Sequence, residues 1–378
     1  MNIGSKVKQV ISKFIPSPIV IDFDRGGEIS IQEVAPYPKG LVDESVPVFE
    51  TESGWQYVRT PEECFENIPD YPFEPKYISI DDLRMHYLDE GDKDGEIILM
   101  LHGQPTWTFL YRKMIRDLSK KGYRCIAPDL IGMGKSDKPL KEHYHTYDRH
   151  CENILTFIKT LELTNITAFI QDWGSLIGNR VIGENPELFA RVVMANGDLP
   201  LVTDETNPLY IPNPLTVNPK IKSFLNILKY WIKGLPHSFQ AWNLFCLQNT
   251  KNFIGGVMQL ATINKLTKAE IAAYKAPFPS FIYMAGPRVL PSMIVGIRGQ
   301  QLPAWEGMKK FKKPFLSLIG LKDNLLGLPS IQQKWVDNVP GAKGQNHEQF
   351  EDANHFIQED IGEIMADRTH KFIQKNPI

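Results

Sequence analysis

Short apolar runs alternate with helical patterns along much of the chain, and this alternation constrains the fold more than any other feature. Residues 97–101 form a continuous apolar run of strand length, which is typical of a parallel strand buried on both faces. Similar runs recur at 166–170, 191–195 and 314–321, with helical patterns between them. The pattern predicts an α/β protein with a doubly wound, mostly parallel sheet.

The alternation stops in one stretch of the chain and then resumes. Residues 199–298 carry helical patterns with many prolines and aromatic residues, which predicts a helical cap inserted into the sheet domain. The core would then have two parts, at 56–198 and 299–378. The proline-rich and poorly periodic residues 1–55 are predicted to form an N-terminal arm.

Charge and cysteine content exclude several classes of protein. Lys and Arg number 42 against 44 Asp and Glu, so no positive excess follows a phosphate backbone and no nucleic-acid partner is expected. The four cysteines contain no CxxC pair, which argues against a disulfide scaffold or a thiolate zinc site. The cysteine pattern permits a reducing compartment, and we expect a cytoplasmic protein. No metal ion or organic cofactor is expected.

The first fifteen residues carry a short amphipathic pattern. Its apolar residues recur at helical spacing, with three lysines between them: Ile3, Val7, Val10, Ile11, Phe14 and Ile15. A helix on a membrane surface is one interpretation. We favour a helix docked on its own protein, or a tail, because only three lysines support membrane contact.

The strongest local signal for chemistry is the segment IQDWGS at 170–175, which follows a buried strand and opens a helix. In the nucleophile-elbow pattern, the residue at the turn is exposed above the sheet, and here that residue is Asp172. A carboxylate is already ionised at neutral pH, and its attack on carbon yields an ester that water must cleave. The alternative is that Asp172 only caps the following helix.

Two further residues sit where partners of such a nucleophile are expected. Asp323 follows a late predicted strand, and His355 lies between the last short strand and the last helix. The chain order of nucleophile, acid and histidine is that of this fold type. Asp198, just past the strand at 191–195, is the alternative acid. The loop at 102–105 can supply backbone N–H groups for an oxyanion hole.

From about residue 59 to the C-terminus the chain resembles the haloalkane dehalogenases of the α/β-hydrolase superfamily. The match is closest to the branch whose catalytic acid follows the late strand. The segments that carry the resemblance are RTP (59–61), YPF (71–73), YLDEG (87–91), HGQPTWTFLYRKMI (102–115), GKSDKP (134–139), QDWG (171–174), APFP (276–279), IGLKD (319–323) and DANH (352–355). The resemblance implies an α/β-hydrolase fold with a cap.

The resemblance also implies a reaction and the residues that perform it. A halogenated alkane and water would be converted to an alcohol and a halide ion through an ester on Asp172, with His355 as base and Asp323 as the acid that orients it. The backbone N–H groups of Gln104 and Trp173 would form the oxyanion hole.

Halide binding and the pocket follow from the same resemblance. Trp173 and Trp242, the latter in the context FQAW, would bind the halide, because an indole offers one N–H donor and no acceptor. Trp107 and Phe239 are expected to line the pocket. Ser175 stands where relatives have Gly, and Gln104 where close relatives usually have Glu; both changes are expected to affect water positioning or rate.

Two other functions compete with this interpretation. An epoxide hydrolase uses the same kind of triad with cap tyrosines as donors, and the chain offers Tyr210, Tyr230, Tyr274 and Tyr283. The pairing of Trp173 with Trp242 favours a halide instead. A non-catalytic binding protein of this fold is expected to have lost a triad residue, and none is missing.

Overall fold

A computed structural model describes residues 21–22, 30–31, 45–200, 242–243, 245–247, 252–297 and 300–378. The amphipathic pattern near the N-terminus, Phe239, Tyr210 and Tyr230 lie outside these residues. In the described ranges, no helix combines the length and the apolar character that a membrane crossing needs.

Strands and helices alternate as predicted. The strands are β1 (Ile21–Asp22), β2 (Ser30–Ile31), β3 (Phe49–Glu50), β4 (Gln56–Val58), β5 (Lys76–Ile80), β6 (Leu83–Gly91), β7 (Ile97–Leu101), β8 (Arg124–Pro128), β9 (Lys138–Pro139), β10 (Ile166–Gln171), β11 (Phe189–Ala195), β12 (Phe315–Gly320) and β13 (Glu348–Phe350). The α-helices are α1 (Arg112–Ser119), α2 (Tyr147–Thr160), α3 (Trp173–Glu184), α4 (Ile254–Leu260), α5 (Lys268–Lys275), α6 (Ala285–Val289), α7 (Met293–Gly296), α8 (Leu302–Met308), α9 (Pro329–Asn338) and α10 (Ile357–Lys375).

Short 3₁₀ segments fill several of the connections. They span Glu62–Phe65, Thr108–Tyr111, Glu142–Tyr144, Pro186–Leu188, Phe281–Tyr283, Leu290–Ser292 and Pro340–Ala342.

An eight-stranded sheet organises the core, in the order β13-β12-β11-β10-β7-β8-β6-β5. Strands β7, β8 and β10 to β13 run parallel, whereas β5 and β6 pair antiparallel and β6 meets β8 antiparallel. The predicted doubly wound, mostly parallel sheet is confirmed. Two small sheets, β1-β2 and β3-β4-β9, lie outside it.

Apolar side chains cover both faces of the central strands. In β7, Leu99 and Leu101 belong to one hydrophobic cluster, whereas Ile98 and Met100 belong to a second cluster with residues of α1 and α10. Side chains alternate between faces along a strand, so a strand that is covered on both sides must be apolar throughout. This is why residues 97–101 are continuously apolar.

Helices α4 to α7 fall within the range predicted for the cap. Helix α5 begins with a capping box, in which the Thr267 hydroxyl accepts from Glu270 N (3.2 Å) and the Glu270 carboxylate accepts from Thr267 N (2.8 Å). The second carboxylate oxygen of Glu270 accepts from Arg112 Nη2 (2.9 Å), so the first turn of this helix is also tied to α1.

Candidate active site

The predicted site residues collect at the carboxyl ends of the parallel strands. The loop that carries Gln104 follows β7, and Asp172 directly follows β10. Asp323 comes three residues after β12, and His355 comes five residues after β13. The carboxyl ends of parallel strands share one edge of the sheet, so residues far apart in sequence meet there.

Asp172 occupies a turn that most residues avoid. Its torsions are φ 49° and ψ −129°, and a positive φ is uncommon outside glycine. A Cβ at Gly103 would lie 2.1 Å from Asp172 Oδ1, and one at Gly174 would lie 2.1 Å from the Leu101 carbonyl oxygen. Glycine at both positions therefore lets the chain pack closely enough to build this turn.

The Asp172 side chain is directed at the site rather than at its own helix. It makes no capping hydrogen bond to α3. Its Oδ1 accepts from the backbone N–H of Gln104 (2.7 Å), and its Oδ2 lies 3.4 Å from His355 Nε2. Both side chains are 14% exposed, so the pair is largely sheltered from solvent. These contacts favour the nucleophile interpretation over the capping alternative.

Asp323 contacts the other ring nitrogen of His355. Its Nδ1 lies 2.8 Å from Asp323 Oδ2. The other carboxylate oxygen accepts from the backbone N–H groups of Leu325 (2.9 Å) and Leu326 (3.1 Å), which fixes the carboxylate plane. With Nδ1–H donating to Asp323, Nε2 is the nitrogen that faces Asp172, and in the neutral imidazole it carries the lone pair that a general base needs.

The two carboxylates control the charge on the imidazole. Burial lowers the pKa of His355, but the charges of Asp323 and Asp172 and their hydrogen bonds outweigh it and raise the pKa to about 10. Burial raises the pKa of Asp323, but the facing His355 lowers it by more. The net pKa of Asp323 therefore lies below the ordinary value. The two carboxylates therefore favour the protonated form of the His355 imidazole.

Asp198, the alternative acid, is engaged elsewhere. Its Oδ1 accepts from Lys334 Nζ (2.5 Å) and from the Trp335 indole N–H (3.1 Å), both on α9. Asp323 rather than Asp198 therefore contacts the histidine.

Asp323→Asn should slow cleavage of an ester on Asp172 by roughly 10²- to 10⁴-fold, because the imidazole loses its orienting carboxylate. Asp198→Asn, the matched control, should leave this step within about twofold. Rapid-quench measurement of ester decay in both variants tests the assignment. A larger loss in the Asp198 variant would contradict it.

The predicted oxyanion-hole donors lie beside Asp172. Trp173 is the first residue of α3, where backbone N–H groups have no partner within the helix. Gln104 N already points at Asp172, and the Gln104 side chain leaves the site: its Nε2 donates to the Pro287 carbonyl (2.7 Å) in α6. An amide makes this bond to α6, whereas a Glu carboxylate would have no proton to donate.

Trp242 and Cys246 both have helical backbone geometry and lie four residues apart in the sequence. Cys246 Sγ lies 3.6 Å from Gln104 Nε2. The Trp242 ring is buried and stacks on Phe245, with centroids 5.6 Å apart. The second predicted halide donor thus lies four residues along the chain from a residue that contacts the Gln104 side chain.

Trp107 is fully buried. Its indole N–H donates to the Ala273 carbonyl (3.1 Å) of α5, and its ring contacts Tyr71 and Phe109. Its donor therefore joins the loop after β7 to a helix in the range predicted for the cap, and its place in the pocket stays a prediction.

Three residues that support the site were not assigned this role from sequence. Asn196, which follows β11, donates from Nδ2 to Asp323 Oδ2 (3.0 Å) and accepts from Gly320 N (2.7 Å). Gln171 donates to the His355 carbonyl (3.1 Å). The Ser175 hydroxyl donates to the Asp172 carbonyl (2.6 Å). Their position at strand ends and next to the elbow was the available signal.

Within the described ranges, no group of three or more His, Cys, Asp or Glu side chains is arranged to hold a metal ion. The chemistry proposed below uses only the side chains and backbone groups already named.

Fold and site together define an α/β-hydrolase with a carboxylate at the nucleophile elbow. A family model described as alpha/beta hydrolase fold matches residues 96–360. The chain is 38% identical to the haloalkane dehalogenase of Psychrobacter cryohalolentis over 331 residues, which cover 85% of this chain and 99% of that one. It is 38% identical to the haloalkane dehalogenase of Mycobacterium marinum, with 82% and 97% covered. The chain belongs to the haloalkane dehalogenase family.

Solved structures agree with this placement. The tetrameric haloalkane dehalogenase DpaA of Paraglaciecola agarilytica superposes with a TM-score of 0.68 at 27% identity. The match covers 83% of this chain and 97% of that one.

Proposed function

We propose that the protein hydrolyses halogenated alkanes to an alcohol and a halide ion through an ester on Asp172. The observation that carries the proposal is the Asp172 carboxylate on the elbow turn, 3.4 Å from the imidazole of a His355–Asp323 pair. An alcohol or thiol nucleophile needs a base before it attacks, whereas this carboxylate does not. Membership in the family supports the substrate class.

In the first step, one Asp172 oxygen attacks the halogen-bearing carbon as the carbon–halogen bond breaks. The indole N–H groups of Trp173 and Trp242 would receive the departing halide. Both rings are buried, so little water competes for the anion and each N–H donor counts for more than it would in water.

In the second step, His355 takes a proton from a water molecule that attacks the carboxyl carbon of the ester. Ester formation removes the charge of Asp172, one of the two carboxylates that raise the pKa of His355, so the pKa falls from about 10. The lower pKa makes the neutral His355 imidazole available as a base at the step that needs one. The N–H groups of Gln104 and Trp173 would hold the tetrahedral oxyanion.

The competing epoxide hydrolase needs tyrosine hydroxyls that face the nucleophile. Tyr274, one of the candidates, is fully buried and donates its hydroxyl proton to Glu359 Oε2 (2.5 Å). That hydroxyl is engaged at the junction of α5 and α10, which favours the haloalkane substrate.

The proposal is tested with the purified chain, a panel of bromoalkanes and a matched panel of epoxides. We expect equal amounts of bromide and alcohol from the bromoalkanes, and much slower diol release from the epoxides. Diol release without bromide release would replace this proposal by the epoxide one.

Trp242→Phe keeps most of the ring but deletes the proposed halide donor. Bromide binding should weaken, and displacement should slow by roughly ten- to a thousandfold, the range expected when one preorganised donor is lost. Stopped-flow bromide release measures the step. Phe245→Leu removes the ring that stacks on Trp242 and is the control for packing. It should change the rate of displacement far less. Unchanged displacement in Trp242→Phe would place the second donor elsewhere in the cap.

We further propose that residues 199–298 form the cap, with Trp107 and Phe239 at the pocket, and that the protein works in the cytoplasm. The free thiols of Cys64, Cys125, Cys151 and Cys246 are compatible with a reducing compartment.

A further inference from the structure

The first turn of α10 joins the loop that carries His355 to the cap. Asp360 Oδ2 accepts from the backbone N–H of Asn354 (2.9 Å), the residue before His355. Its Oδ1 accepts from the backbone N–H groups of Ile263 (2.8 Å) and Asn264 (3.1 Å), in the loop between α4 and α5. One carboxylate thus takes three N–H donors from two separate segments.

Other hydrogen bonds run between the same two segments. Phe356 N donates to the Ala261 carbonyl (3.2 Å), and Asn264 Nδ2 donates to the Asp360 carbonyl (2.9 Å). Phe356 therefore contacts Ala261 directly. Asn354 is joined to Ile263 and Asn264 through the Asp360 carboxylate. The backbone on both sides of His355 is thus connected to this loop.

The adjacent carboxylate makes a second connection of the same kind. Glu359 is buried and forms an ion pair with Arg112 of α1, with Oε2 2.6 Å from Nη1, while it accepts from Tyr274 of α5. Beyond this turn, Ile361 leaves helical geometry (φ −137°, ψ 43°). The break separates the turn at 357–360, which makes these contacts, from the rest of α10.

We infer that Asp360 is a positioning residue that sets the location of the His355 imidazole through the cap loop at 261–264. The inference rests on the proposed function, because it assigns the effect to the step in which His355 acts. Displacement by Asp172 does not use the base, so Asp360 should influence ester hydrolysis and not halide release. A residue that served only general stability would affect both steps together.

Asp360→Asn tests this with little change in shape. The amide has one acceptor oxygen, so its NH₂ group must face either Asn354 N–H or the Ile263 and Asn264 N–H groups, and one side of the junction is lost. In single-turnover experiments with a bromoalkane, the rate of the bromide burst should stay within about twofold. Ester decay should slow by roughly ten- to a hundredfold, the scale of a base displaced by about 1 Å.

Glu363→Gln is the matched control, since it changes a carboxylate one turn further along α10 that is 53% exposed and pairs with Arg116 at the surface. It should alter neither step. Asn264→Ala is a second test, and this variant is expected to fold because Asn264 is exposed. The substitution removes the hydrogen bond to the Asp360 carbonyl and should slow ester decay several-fold.

Equal slowing of both steps in Asp360→Asn, or unchanged ester decay, would overturn the inference while leaving the proposed function intact. If Asp360→Asn does not fold, Asn264→Ala decides, and unchanged ester decay in that variant overturns it. A wild-type protein that releases no halide would refute the proposed function, and this inference with it.

Discussion

Asp172→Asn should abolish halide release from bromoalkanes, a loss of roughly 10⁴-fold or more, because an amide does not displace halide from carbon. The fold should survive, since Asn tolerates the positive φ of this position and its side-chain oxygen can still accept from Gln104 N. Bromide release measured against circular dichroism on the same sample separates the loss of chemistry from unfolding.

The same variant has a second readout at His355. The Asp172 charge helps to raise the pKa of His355 to about 10, so its removal should lower that pKa, which NMR titration of the imidazole measures. In the wild-type protein, one turnover in heavy-oxygen water should label the Asp172 carboxylate. Label found only in the alcohol after that turnover would contradict attack by Asp172.

His355→Phe should release about one bromide per site and then stop, with the alkyl group still attached to Asp172. Displacement needs no base, whereas ester hydrolysis does, so only the second step should fall, by roughly 10²- to 10⁴-fold. Mass spectrometry of the intact protein should show the added alkyl mass. The burst of bromide is counted against the concentration of active protein.

A control variant and the pH dependence of the two steps test this prediction further. His143→Phe changes an exposed histidine whose ring contacts Trp55, and its turnover should match the wild type. In the wild type, ester decay should become faster as pH rises, because His355 must lose its proton to act, while displacement should hardly change between about pH 6 and 9. A folded His355→Phe without a burst would refute the separation of the two roles.

Several features were predictable because their signals are local. The apolar run at 97–101 becomes β7, and the segment at 170–175 becomes a strand end, a turn and a helix start. Residue type at the turn is also local information: Asp172 specifies a carboxylate where related folds carry an alcohol or thiol. The sheet class then follows from the alternation of these elements.

The supporting residues were not predictable in the same way. Asn196 orients Asp323, and Asp360 spans two loops, yet neither lies in a recognisable motif. Both have ordinary polar side chains that most often face solvent. Their roles depend on which buried N–H or carboxylate comes within about 3 Å of them, which nothing in their sequence neighbours specifies.

The sequence by itself determined the class of fold, the family and the chemical type of the nucleophile, because periodicity and short motifs depend on neighbours along the chain. Only the tertiary structure decided which acid meets His355. Asp198 and Asp323 both follow parallel strands, but α9 engages Asp198 through Lys334 and Trp335, while Asp323 faces the imidazole at 2.8 Å. Strand order and helix packing bring these groups together, and hydrogen bonds act over about 3 Å in space regardless of separation in sequence.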